Sequence, residues 1–268
     1  MPYMKIMDKN IYYKQYGEGE PIVFLNGVMM STNSWSPFIR MVSKDYKMIV
    51  VDLLDQGKSD NCEVKYTINT QAYILKIFLD ELKLKKIHLV GMSYGGKIAQ
   101  TFAIKYKTKV KSLILSNTDS YTANIMKDIG RGWDYAASTL NSSIFSSIIM
   151  PYMYSHDYYE RSYEDIKIKE KIFSSILDKI WYQRFKRTLN SAIDYNVSGE
   201  IKDIKVPTLI ISSEFDAITP LRHQQIIHEK IQNSKWVIIK GVGHASMYEK
   251  PKEFISIIME FLKETFHE

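Results

Sequence analysis

A chain of 268 residues with a single cysteine, Cys62, cannot close a disulfide within itself. A reducing, cytoplasmic setting is therefore the expectation. No apolar run approaches the roughly 18 residues that a membrane-spanning helix requires. The first ten residues are polar and lack the apolar centre of a secretory signal, so none is expected. Neither a Gly-x-Gly-x-x-Gly nor a Walker motif occurs, which removes the usual sequence support for nucleotide binding. No pair of histidines or carboxylates has metal-ligand spacing, and no metal or other cofactor is expected. Basic residues only modestly outnumber acidic ones, 36 Lys+Arg against 30 Asp+Glu. Their densest group, Lys105, Lys107, Lys109 and Lys111, surrounds a helix-to-strand loop. That position suits a solvated surface better than a nucleic-acid face. No nucleic-acid or membrane partner is expected, and the oligomeric state is left open.

What is present is an ordinary globular composition, 45% hydrophobic and 25% charged, in a chain long enough to cover a central sheet. Residues 4–7 and 11–15 suggest an antiparallel hairpin about the turn Asp8-Lys9-Asn10. Residues 22–25, 48–51, 87–90 and 110–115 are short, strongly apolar runs, as expected of strands covered on both faces. Between them, residues 34–42, 69–82 and 97–103 carry helical spacing. This alternation predicts an α/β fold with a mainly parallel sheet and helices on both faces. After Asn117 the character changes. Residues 121–195 offer no such strand and are rich in Tyr, Trp, Met, Ile and Ser, with helix expected in several stretches including 166–189. Alternation then resumes with a strand at 207–212, a helix at 221–231, a strand at 235–239 and a closing helix at 251–262. The expected organisation is a core of residues 1–119 and 196–268. Residues 120–195 are expected to be inserted after the sixth strand as a helical cap, or lid. Such a cap would lie over the carboxyl ends of the strands, where sites in these sheets form.

The most informative stretch is Ile87-His88-Leu89-Val90-Gly91-Met92-Ser93-Tyr94-Gly95-Gly96. Strand, Gly-x-Ser-x-Gly and helix follow in that order, the pattern of a nucleophile elbow. A serine on so sharp a turn is held in strained backbone geometry with its hydroxyl outward. Gly91 and Gly95 keep the space beside it empty. The Tyr94 N–H, at the start of the new helix, is placed to hold a developing oxyanion. Downstream, Asp216 sits in the loop after the strand ending at Ser212, and His244 in the loop after the last strand. Gly241 and Gly243 free the backbone just before His244. Asp216 could instead cap the next helix, and Asp119, after the 110–115 strand, is the rival acid. Of the other histidines, His88 lies inside the elbow strand as a core residue. His223 and His228 lie on a polar helix, His156 in the cap and His267 at the tail.

Ser93, Asp216 and His244 stand in the order Ser…Asp/Glu…His, each after a strand. On these residues, and on Asn26-Gly27 and the 52–60 loop, the chain resembles the α/β-hydrolase fold family from about residue 11 to residue 262. The resemblance implies Ser93 as nucleophile, His244 as base and then acid, and Asp216 as the group that orients the imidazole. It implies an oxyanion hole of the Tyr94 and Val28 backbone N–H groups, with Met29 the second choice for the latter. Two departures stand out. Asn26 occupies the usual position of a histidine, and Asp55 replaces the first glycine of an Asp-x-x-Gly-x-Gly-x-Ser loop that otherwise keeps Asp52, Gly57 and Ser59. A serine nucleophile also argues against the dehalogenases and epoxide hydrolases of this fold, which use an aspartate there. The expected activity is cleavage of a small to medium ester, thioester or related acyl substrate through an acyl-enzyme. An apolar cap would admit the acyl group, with Met29, Trp133 and Met247 in contact with it. The same three residues would serve a C–C bond hydrolase, a lactonase or a cofactor-free haloperoxidase. A ligand sensor of the same fold is the reading from another class.

Overall fold

The structure is a computed structural model that describes residues 2–265; His267 lies outside them. Strands β1 (Tyr3–Ile6) and β2 (Lys9–Tyr16) form the antiparallel hairpin. Then come β3 (Pro21–Leu25), helix α1 (Ile39–Val42), β4 (Lys47–Asp52), α2 (Ile68–Glu81), β5 (Ile87–Met92), α3 (Tyr94–Lys105) and β6 (Val110–Ser116). Five helices follow: α4 (Asn124–Ser138), α5 (Ser142–Met153), α6 (His156–Arg161), α7 (Tyr163–Ser174) and α8 (Lys179–Asn190). The chain closes with β7 (Thr208–Ser213), α9 (Leu221–Lys230), β8 (Ser234–Ile239), α10 (Ser246–Glu249) and α11 (Pro251–Glu264). The strands build one sheet of eight, ordered β1-β2-β4-β3-β5-β6-β7-β8, parallel from β4 to β8 along that order.

The apolar runs are strands because each has two faces to bury. Ile22 and Phe24 of β3 pack on one side of the sheet with Trp35, Phe38 and the α11 residues Phe254 and Ile258. Val23 and Leu25, the alternate residues, pack on the other side with Phe78 of α2 and Phe102 of α3. The same alternation holds in β4, where Met48 and Val50 face one way and Ile49 and Val51 the other. A period of two with apolar residues at every position leaves only a doubly covered strand as a stable solution.

Two expected helices differ in the structure. Residues 34–42 are not one α-helix: Thr32–Phe38 is a 3-10 segment that turns into the single α-turn of α1. Pro37 lies inside that segment, lacks an N–H and disfavours the α conformation at Ser36. Residues 166–189 are broken into α7 and α8. Asp178 supplies the reason, since its carboxylate accepts from the Trp181 N–H at 2.7 Å and starts a new helix. His88 is a core residue, with Nδ1 at 2.7 Å from Ser112 Oγ and Nε2 at 3.0 Å from Glu20 Oε2. Burial pushes its pKa down, which favours the neutral ring.

The helices α4 to α8 have an apolar cluster of their own around Trp133, Phe145, Tyr182 and Phe185. Phe145 meets the rings of Trp181, Tyr182 and Phe185 edge-on, 5.0–5.5 Å between centroids. Ile218, from the loop after β7, joins that cluster, and Val28 and Met29, from the loop after β3, pack against it. The helices are thereby seated over the carboxyl ends of the strands.

Candidate active site

The turn between β5 and α3 carries Ser93 with φ 51° and ψ −112°, a left-handed backbone at a non-glycine residue. Such a conformation persists only where the surroundings over-determine it. Here the Ser93 N–H donates to the Ser116 carbonyl at 2.8 Å, and the Ser93 carbonyl accepts from the Gly96 N–H and the Thr118 hydroxyl, each at 2.8 Å. A Cβ at Gly91 would come within 2.5 Å of the Gly95 carbonyl oxygen, and one at Gly95 would strike the Leu25 carbonyl. Both positions tolerate only hydrogen, as the close crossing of strand and helix demands.

His244 reaches the serine from the loop after β8. Its Nε2 lies 3.0 Å from Ser93 Oγ, and its Nδ1 lies 2.8 Å from Asp216 Oδ2. A carboxylate only accepts, so Nδ1 carries the proton and Nε2 is left to accept from the serine hydroxyl. Asp216 does not cap a helix. Its Oδ1 accepts from the Ile218 and Thr219 N–H groups, and its Oδ2 also from the Thr219 hydroxyl, all at 2.8–2.9 Å. The carboxylate is fully buried and held from four directions, so the imidazole meets it in one orientation. Asn117 fixes the histidine's own backbone by donating to the His244 carbonyl at 2.6 Å. Gly241 takes φ 69°, and at Gly243 a Cβ would lie 2.5 Å from the Ser155 nitrogen. The glycines before His244 thus admit both the turn and the close passage of the α5–α6 junction.

Asp119 lies elsewhere. Its carboxylate pairs with the Lys97 ammonium, and both groups are buried. Burial pushes the Lys97 pKa down, and the Asp119 carboxylate opposes that shift. Of the remaining described histidines, His228 binds Ser234 Oγ at 2.8 Å, His223 packs on Tyr121, and His156 is exposed on α6. No group of three or more His, Cys, Asp and Glu among the described residues could hold a metal ion.

The loop after β3 answers the question raised by Asn26. Its amide donates to the Val51 carbonyl at 3.1 Å and to Asp52 Oδ1 at 2.9 Å, and its oxygen accepts from Trp35 Nε1 at 2.8 Å. A short amide therefore ties the loop to β4. Asp52 completes the knot by accepting from the Thr32 N–H at 2.6 Å and the Lys58 N–H at 3.0 Å. Beyond it, the Val28, Met29 and Tyr94 backbone N–H groups have no acceptor among the described residues. Met29 has φ 66°, which turns the loop toward the serine side of the sheet.

Asp55 also has a purpose that its sequence position concealed. It does take the left-handed conformation, φ 62°, that glycine would take freely. In exchange its carboxylate holds Arg187 of α8 in a two-pronged pair, at 2.9 and 2.8 Å, and accepts from the Cys62 N–H at 3.0 Å. Arg184 of α8 adds bonds to the Gln56 and Ser59 carbonyls at 2.9 and 2.8 Å. The loop is a clamp on the overlying helices. Asp55→Asn keeps a residue tolerant of the left-handed region but weakens the clamp. It is expected to lower the unfolding free energy by about 1–3 kcal/mol, and to raise KM more than it lowers kcat. Denaturant melts and steady-state kinetics would read both.

Ser93 and His244 open into a cavity of about 340 Å³. Val28, Met29, Tyr94, Trp133 and Met247 all line it, as do Met126, Met150, Met153, Phe173 and Ile218. Nothing in the sequence singles out the last five. Helical spacing marks an apolar face without saying which cavity it borders. Lys97 does carry a signal: a charged residue four positions after the serine, set among Gly95, Gly96, Ile98 and Ala99. Among the described residues, the lining contains no Asp or Glu.

This fold and this site define an enzyme of the hydrolase class. A family model described as the alpha/beta hydrolase fold matches residues 20–251. The chain belongs to the α/β-hydrolase fold family. It is 36% identical to an α/β-hydrolase enzyme from a Medee basin deep-sea metagenome library, with a TM-score of 0.95 and 97% of each chain covered. A proline iminopeptidase of Lactobacillus helveticus is 26% identical, over 97% of this chain and 96% of that one. An enol-lactonase of Burkholderia xenovorans LB400 shares the fold at 21% identity, with a TM-score of 0.88 over 98% of this chain and 100% of that one. No helix among the described residues is long and apolar enough to cross a membrane.

Proposed function

We propose that this enzyme is a serine hydrolase that cleaves a small to medium carboxylic ester, or a related acyl compound, through an acyl-enzyme. The observation that carries this is the file Asp216–His244–Ser93, with contacts of 2.8 and 3.0 Å, opening into an apolar cavity. Ser93 Oγ attacks the acyl carbonyl while His244 Nε2 takes its proton. His244 then returns that proton to the leaving alcohol. A water enters and attacks the acyl carbon as His244 removes its proton; the bond to Ser93 Oγ then breaks, His244 returns the proton to that oxygen, and the acid leaves. Asp216 keeps Nδ1 protonated and stabilises the imidazolium at each step. The Tyr94 N–H, with that of Val28, holds the oxyanion. The helices α4 to α8 act as a cap, one insertion of residues 120–195 into a core of 1–119 and 196–268, and enclose the acyl group in an apolar cavity. A cytoplasmic enzyme with a small-molecule substrate and no cofactor completes the reading.

The proline iminopeptidases among the relatives act as a contrast. A substrate with a free amine brings a cation into the site, and a cavity whose lining, among the described residues, has no Asp or Glu offers that cation no counter-charge. An ester or lactone brings none. A volume near 340 Å³ lies at the low end of small-molecule sites, which favours short acyl groups. p-Nitrophenyl acetate and butyrate should therefore turn over at least a hundred times faster, in kcat/KM, than prolyl-p-nitroanilide or p-nitrophenyl palmitate. Faster release from the prolyl amide would sink the esterase reading in favour of a peptidase.

A further inference from the structure

We infer that Lys97 recognises a second, uncharged oxygen on the acyl group, so that the preferred substrates are oxo- or hydroxy-acyl compounds rather than plain aliphatic ones. This rests on the acyl-hydrolase reading above. Lys97, Thr122 and Ala192 line one corner of the cavity. There the Lys97 ammonium donates to Asp119 Oδ1 and, at 3.0 Å, to Thr122 Oγ1. The Thr122 hydroxyl spends its own proton on the Ala192 carbonyl, at 2.7 Å. An ammonium has three N–H donors. The third has no oxygen or nitrogen acceptor among the described residues; it has only the face of the Tyr195 ring, 4.9 Å from Nζ. Beside it, Asp119 Oδ2 is a further buried polar atom without a partner among the described residues. Buried polar atoms are seldom left this way unless something else completes them.

Charge decides what that something is. Lys97 and Asp119 already balance one another. A carboxylate on the substrate would add an uncompensated negative charge beside Asp119, at a large desolvation cost. A ketone or hydroxyl oxygen accepts the spare N–H without one, while a methyl group in its place leaves the donor dry. Lys97 lies one helical turn beyond Ser93, about 5–6 Å along α3. A spacing of that order makes an oxygen on the fourth or fifth carbon of the acyl chain the position to test.

Isosteric ester pairs test this. The p-nitrophenyl esters of 4-oxopentanoate and 4-methylpentanoate have near-equal size and differ by a ketone oxygen against a methyl and a hydrogen, as do those of 5-oxohexanoate and 5-methylhexanoate. Each kcat/KM is divided by the ester's own rate with hydroxide, which removes intrinsic reactivity. The wild-type enzyme should favour the oxo member of at least one pair by about tenfold or more. In the Lys97→Met, Asp119→Asn double variant, which removes both charges together, that ratio should fall to about one. A wild-type ratio near one in both pairs overturns the inference and leaves the hydrolase reading standing. So does a ratio that survives in the double variant. No hydrolysis of any of the four esters removes both. The wild-type ratio decides on its own if the double variant fails to fold.

Discussion

Ser93→Ala should reduce turnover of p-nitrophenyl butyrate by roughly 10³- to 10⁶-fold without unfolding the protein. The physical case is local. The alanine removes only Oγ, whose one hydrogen-bond partner among the described residues is His244 Nε2 at 3.0 Å. The strained turn is held through the backbone of residue 93 and its bonds to Ser116, Gly96 and Thr118, all of which alanine retains. His244→Ala should fall in the same range, and should also suppress labelling of Ser93 by a fluorophosphonate probe, because a serine hydroxyl without its base is a weak nucleophile. Turnover by Ser93→Ala equal to the wild type would refute the assignment. Unchanged labelling of His244→Ala would mean that another group activates the serine.

The second large effect separates two acids. Asp216→Asn keeps the shape of the side chain but presents an amide donor or a weaker acceptor to His244 Nδ1, and a wrong tautomer is expected to cost roughly 10³- to 10⁴-fold in kcat. Asp119→Asn should act differently. It leaves the buried Lys97 ammonium without its counter-charge, which is expected to cost about 3–5 kcal/mol of stability. Its loss in kcat should be at least a hundredfold smaller than that of Asp216→Asn. Thermal melts beside initial rates distinguish the two, and the reverse pattern would move the acid to Asp119. The argument for Asp216 is distance: 2.8 Å to His244, against a carboxylate already paired with Lys97.

Much of this was legible in the residues. Doubly apolar runs such as Ile22-Val23-Phe24-Leu25 announce strands with two covered faces, because no other element buries consecutive residues on opposite sides. Gly91, Ser93 and Gly95 announce the elbow, because the crossing excludes any Cβ at the two glycines. Helix ends were harder. Pro37 and Asp178 each broke a stretch whose apolar spacing alone suggested one continuous helix. Asn26 looked like a weakness of the loop after β3 and is instead its fastening, since an amide reaches Val51, Asp52 and Trp35 at once. The sequence offered no way to see that, because its partners lie 9 to 26 residues away.

Residue order alone settled the alternation of strands and helices, the strand-end address of Ser93, Asp216 and His244, and the acid-before-histidine sequence that links them. These depend on local spacing and on side-chain chemistry, which the chain carries whatever its shape. Only the tertiary structure decided which acid meets His244, that Asp55 grips Arg187, and that Lys97 stands buried in the cavity wall. Each of those is a contact between residues 22 to 132 apart. A contact of that kind exists only once the sheet has brought distant loops to one edge and the helices α4 to α8 have closed over them.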